Sequence, residues 1–205
     1  MSSHRFPELD IWRGLAVLGM IVFHIFFFLR WYAYLDWNLF QGAWLFFARI
    51  IQWSFLLLVG FGIFLKSQRV KTFSDFYTSQ IKRSAIILFC ALLVNLATWM
   101  LIPDWYIRFG ILHVIAVSVL CLSLFARVPD LSLLLSAGVF LLSFVLQEFK
   151  TSSSLLFFLG IPNPSIRTLD YFPIIPWIGI PAFGIFLASL YLPRRTRFAV
   201  SLQST

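Results

Sequence analysis

The sequence predicts an all-α polytopic membrane protein with six transmembrane helices and both termini cytoplasmic. Three observations predict it. Of 205 residues, 60% are hydrophobic and only 12% charged, against roughly 45–50% and 25% in a soluble domain. The apolar residues gather into six runs, at 11–30, 42–65, 83–102, 108–126, 131–148 and 172–192, each meeting or approaching the roughly 20 residues needed to span the hydrocarbon. The lysines and arginines are sorted to one side of that arrangement, as orientation in a membrane requires.

Backbone groups in lipid must pair within their own segment, and no period-two alternation suggests a barrel, so the runs are read as helices. Glu8 and Asp10 precede the first run and no small-x-small site follows it, which argues against a cleaved signal peptide. The second run leads to the third through a basic connection. "IPDW" at 102–105 separates the third from the fourth, and "RVPD" at 127–130 the fourth from the fifth. The connection 149–171 contains "GIPNPS"; its "LLFFLG" is too short to span and is expected to dip into the interface. The sixth run opens "DYFPIIPWIGIPAFG": Pro173 and Pro176 fit a first helical turn, whereas Pro181 is expected to kink the helix or free a carbonyl. Residues 1–205 are expected to form a single membrane-embedded domain.

With the N-terminus inside, Arg5, Arg13, Lys66, Arg69, Lys71, Lys82, Arg83, Arg127, Arg194, Arg195 and Arg197 lie on the cytoplasmic side, eleven of the sixteen cations. Arg30, Arg49, Arg108, Lys150 and Arg167 lie outside. The net charge of +8 therefore follows topology, and nucleic acid is not an expected partner. Cys90 and Cys121 fall in apolar runs and read as small core residues, not as a disulfide or metal site.

Five polar side chains interrupt the runs at similar depth. At about 1.5 Å per residue, His24 lies roughly 20 Å from the inner edge, and Asn95 reaches a similar level. His113 lies roughly 8 Å below the outer edge, and Arg49 and Gln52 about 10–15 Å. Each has a bland explanation: a histidine donating to a neighbouring carbonyl, amides as interhelical glue, an arginine snorkelling to the surface. Their coincidence of depth instead suggests a shared cavity. Arg13 and His24 are eleven residues apart, three turns plus roughly 20°, so they project from one helical face, with Asp10 within about 40° of it. A near-neutral imidazole suits general-base activation of a hydroxyl or amine. Arg13 offers a planar donor fork for phosphate or carboxylate. No nucleophile motif, His–Glu metal cluster or glycine-rich phosphate loop is present, and no metal is expected.

"RFPELDIWRGLAVLGMIVFH" at 5–24, "IRFGILHVIAVS" at 107–118 and "LDYFPIIPWIGIPAFGIFLA" at 169–188 resemble the heparan-alpha-glucosaminide N-acetyltransferase catalytic-domain family, in its small prokaryotic branch. The likeness spans nearly the whole chain. The Asp-x-x-Arg-Gly opening and the Arg-x10-His spacing also resemble membrane acyltransferases that O-acylate surface sugars. In that group the first-helix arginine and histidine are implicated in catalysis, which here are Arg13 and His24. One departure stands out. The lysosomal enzyme's catalytic histidine lies in the loop after the first helix, and here that loop, "RWYAYLDWNLFQGAW", has none, Asp36 being its only carboxylate. Any catalysis then runs through His24 or His113.

The resulting expectation is a membrane acyltransferase moving an acetyl or similar group from acetyl-CoA or another acyl-CoA to an amino or hydroxyl group of a glycan or lipid-linked sugar. His24 is the expected general base and His113 a second acid/base or orienting group. Arg13 is expected to hold the donor phosphates, and Arg49, Asn95 and Arg108 to polarise or position the acceptor. Direct transfer and an acyl-histidine intermediate both stay open, as does self-association. The competing readings are a non-catalytic carrier or small-molecule-binding bundle and a purely structural membrane protein. The expected location is a prokaryotic plasma (inner) membrane.

Overall fold

The computed structural model describes residues 6–203, without the side chains of Ser154 and residues 193–203. Arg5 and the side chains of Arg194, Arg195 and Arg197, used above for orientation, lie outside what it describes. Among the described residues the secondary structure is helical, with one isolated bridge between Phe109 and Tyr171. Two compact units form, residues 1–58 and 59–205.

The first unit contains α1 (Pro7–Trp31) and the opening of α2 (Gly42–Arg69). Pro7 sits at the start of α1, where its missing N–H costs no helical bond. Glu8 and Asp10 in the first turn and Arg30 in the last complement the helix dipole. Gly19 brings α1 close to α2, since a Cβ there would lie 3.0 Å from the Ile51 side chain. Between the helices the chain folds back on an aromatic cluster: Phe26 stacks on Trp37 at 5.6 Å and meets Trp44 at 4.6 Å. Arg30 donates to the Trp37 carbonyl.

In the second unit α3 (Phe73–Leu101) packs on α4 (Ile111–Leu122), which a 3-10 turn extends through Phe125. There α5 (Pro129–Leu146) packs on α8 (Gly179–Gln203), with the short α6 (Ser154–Leu159) and α7 (Ile174–Trp177) before it. Val119, Leu122, Ala182 and Ile185 form part of its dry core. Buried serines tie the helices: Ser84 donates to the Ala116 carbonyl at 2.8 Å and Ser132 to that of Phe125 at 3.3 Å. Such bonds replace the hydrophobic drive that lipid does not supply between helices. Gly60, near the middle of α2, touches α8 directly. A Cβ there would fall 2.1 Å from the Pro181 carbonyl oxygen and 2.8 Å from the Ile185 nitrogen.

Exposed surfaces carry the same residues as a core. Ile11, Leu15, Leu18 and Ile25 on α1, Ile86, Phe89 and Leu93 on α3, and Leu134, Leu141 and Phe144 on α5 are all exposed. Contiguous faces of this size are untenable in water and natural in hydrocarbon. The protein is an integral membrane protein.

Several expectations change. Five helices are long and apolar enough to cross a membrane: α1, α2, α3, α5 and Ile174–Leu192. The expected fourth span, 108–126, yields only a shorter apolar helix, Ile111–Phe125. Its first residues are drawn into extended pairing with the segment before α7, where the Phe172 N–H donates to the Phe109 carbonyl at 2.9 Å. In the last span the break falls not at Pro181 but at Ile175, whose φ of −100° and ψ of 124° are non-helical. Pro181 instead lies in the first turn of α8, where a proline is tolerated. Cys90 and Cys121 are free and exposed, not core residues. In lipid an apolar neighbourhood does not tell the two faces of a helix apart.

Candidate active site

In the first unit His24 is exposed on α1, and its Nδ1 lies 2.8 Å from the Met20 carbonyl one turn earlier. A carbonyl only accepts, so Nδ1 carries the proton and donates, leaving the lone pair on Nε2. Nε2 has no hydrogen-bond partner among the described residues. This is the tautomer a general base needs. Arg13 is exposed on the same helix, three turns away, and its Nη1 donates to Asp10 Oδ1 at 2.8 Å. That pair secures the helix start and leaves the rest of the guanidinium fork facing outward. Arg49 donates to Gln52 Oε1 at 3.0 Å, a one-turn bond that aligns two of the polar groups singled out on α2.

In the second unit His113 is buried at the third position of α4. Its Nδ1 accepts the Gly110 N–H at 3.2 Å, reaching back over the helix start as a capping side chain does. Nε2 therefore bears the proton, so the Asn95 atom facing it at 3.3 Å is the amide oxygen. In that orientation the Asn95 nitrogen donates to the Ile107 carbonyl at 3.1 Å and that of Ala91 at 3.0 Å. Both ring nitrogens and the whole amide are satisfied inside the protein. The pair locks α3, the 107–110 segment and α4 together.

Asp170 completes this corner. Its Oδ2 accepts the Ile111 N–H at 3.2 Å, placing a carboxylate at the N-terminal end of α4. Gly110 permits that approach, because a Cβ there would lie 2.5 Å from the same oxygen. Thr168 Oγ1 donates to the Asp170 carbonyl at 2.9 Å and accepts the Arg108 N–H at 3.3 Å. The Arg108 guanidinium lies 4.3 Å over the Tyr106 ring and donates to its hydroxyl at 2.6 Å. Beyond it the Tyr171 hydroxyl donates to the Phe157 carbonyl at 2.7 Å, and burial pushes its pKa up to about 12.

Of the residues singled out in the sequence, the structure thus joins Asn95 to His113 and Arg49 to Gln52, and sets Arg108 beside the first pair. His24 and Arg13 share a helix without touching. Sequence reasoning missed Asp170 and Thr168 as parts of this arrangement, whereas Gly110 beside His113 is readable as a position where a missing side chain admits a close neighbour. One signal was readable: Asp170 is the only carboxylate after Glu148. Among the described residues no three of His, Cys, Asp and Glu gather as a metal-binding group.

Among the described residues, helices with lipid-facing apolar surfaces and candidate spans define an integral membrane protein. The chain belongs to the heparan-alpha-glucosaminide N-acetyltransferase, catalytic, family, whose model matches residues 5–205. That family is one of membrane acetyltransferases, with acetyl-CoA as the general donor. No curated protein and no solved structure matches the chain.

Proposed function

We propose that the protein transfers an acetyl or similar acyl group from acyl-CoA to an amino or hydroxyl group of a glycan or lipid-linked sugar, in a prokaryotic plasma membrane. The tautomer of His24 carries this reading: Nδ1 is committed to the Met20 carbonyl and Nε2 holds an open lone pair. Nε2 takes the acceptor's proton as its oxygen or nitrogen attacks the thioester carbonyl. The thioester C–S bond then breaks, and the imidazolium returns a proton to the departing CoA sulfur. Arg13 holds donor phosphates with the donors Asp10 leaves open. Arg49 and Arg108 position the acceptor. His113 acts as an orienting group, held by Asn95, and not as a second base.

The test incubates the purified full chain with labelled acetyl-CoA and amino-sugar or lipid-linked sugar acceptors, following label transfer and CoA release. His24→Gln should lower the rate by roughly 10²-fold or more, the usual contribution of general acid–base catalysis, with thermal stability unchanged. Full transfer by a stable His24→Gln variant would remove His24 from the mechanism.

A further inference from the structure

Two arginines in the second unit lie against aromatic rings with no acid to pair with. Arg108 rests 4.3 Å from the centre of the Tyr106 ring and Arg167 5.7 Å from that of Trp105. Their segments run side by side: Leu169 N–H donates to the Trp105 carbonyl at 2.9 Å, Arg108 N–H to Thr168 Oγ1, and Phe109 bridges Tyr171 in parallel. The two guanidinium groups are thereby presented over neighbouring rings of one short segment. Among the described residues neither has a carboxylate within ion-pair distance.

Arg108 carries a second sign of a missing partner. Its Nη1 is bonded to Tyr106, but its Nε is buried with no hydrogen-bond acceptor. A buried, charged N–H left unmade is costly and calls for an acceptor such as an ion or water. Position adds a constraint. Residues 102–110 follow the span Phe73–Leu101, and 160–173 precede the span Ile174–Leu192, so the arginines sit where the chain leaves the hydrocarbon. Bilayer phosphates lie at that level.

We propose that Arg108 and Arg167 form a phosphate-binding site at the membrane surface. A planar guanidinium matches phosphate oxygens two at a time, and the ring beneath each arginine holds it in place before the anion arrives. The phosphate belongs either to a phospholipid headgroup or to a phosphorylated acceptor. In the second case the site names the acceptor's chemistry and rests on the transfer reading above.

Binding is measured without acyl-CoA, so its failure leaves the transfer reading standing, and failure of transfer leaves the site standing. The full chain in a non-ionic sugar detergent is titrated with inorganic phosphate by calorimetry, and separately with phosphatidylglycerol, counting retained lipids by native mass spectrometry. Saturable binding in the first arm assigns a mobile phosphate ester, and saturable binding only in the second assigns a lipid headgroup. In either arm R108Q and R167Q should each weaken binding about tenfold, the scale of one charge-assisted hydrogen bond, whereas K150Q, removing a cation elsewhere, should not. Arg167 is exposed, so its variant keeps the test alive should R108Q fail to fold. Absence of saturable binding in both arms overturns the site. So does equal weakening by K150Q, or binding by R167Q at wild-type strength.

Discussion

Replacing His113 separates a structural histidine from an acid–base one. The wild-type ring accepts the Gly110 N–H at 3.2 Å and donates to Asn95 at 3.3 Å from a buried position. His113→Ala strands both partners, at about 1–3 kcal/mol for each unpaired buried group, and adds a cavity. The combined cost is about 3–5 kcal/mol, which corresponds to a fall in Tm of about 6–20 °C for a chain of this size. His113→Gln keeps one acceptor and one donor on a similar stem, and should cost about 1 kcal/mol. Because neither ring nitrogen is open, the Gln variant should retain acyl transfer within a few-fold. The assay pairs detergent melting curves with the labelled-donor rate for wild type, His113→Ala and His113→Gln. A His113→Gln protein with unchanged Tm and a rate lowered 10²-fold would refute this reasoning and restore His113 as an acid or base.

Gly60→Ala should destabilise the protein by about 1–3 kcal/mol, the usual cost of overpacking, because the new Cβ meets the backbone of α8 and not a side chain that could rotate away. An unchanged melting temperature would show that α2 and α8 do not approach so closely. Tyr171 predicts an alkaline limb in stability. Its phenol titrates near 10 ordinarily and at about 12 in the folded protein, raised by burial. Between those values the unfolded chain releases a proton that the folded one keeps, so this contribution is whole below pH 10 and lost as pH rises toward 12. Comparing melts at about pH 9 and pH 11, Tyr171→Phe should lose less stability than wild type; equal losses would discount the buried phenol.

The membrane class of this protein, its helical content and most of its spans are legible one residue after another, because length and apolarity are all that hydrocarbon demands of a segment. Asp10 with Arg13, and His24 with the Met20 carbonyl, are likewise local: partners three or four residues apart meet on any helix. Which face of a span meets lipid is a different matter. Cys90 and Cys121 lie in runs apolar all round, so periodicity does not reveal that they are exposed. The fourth apolar run begins at 108 in the sequence, but its helix does not. It begins at Ile111 because Arg108 and Phe109 pair with Thr168 and Tyr171, and the Ile111 N–H itself is taken by Asp170, some sixty positions away. The two histidines divide between local and longer-range bonds. A local carbonyl leaves His24 with an open Nε2, whereas Gly110 and Asn95 close both nitrogens of His113. A bond that spans one turn is written into the chain, but a bond that spans sixty residues exists only once the helices have packed.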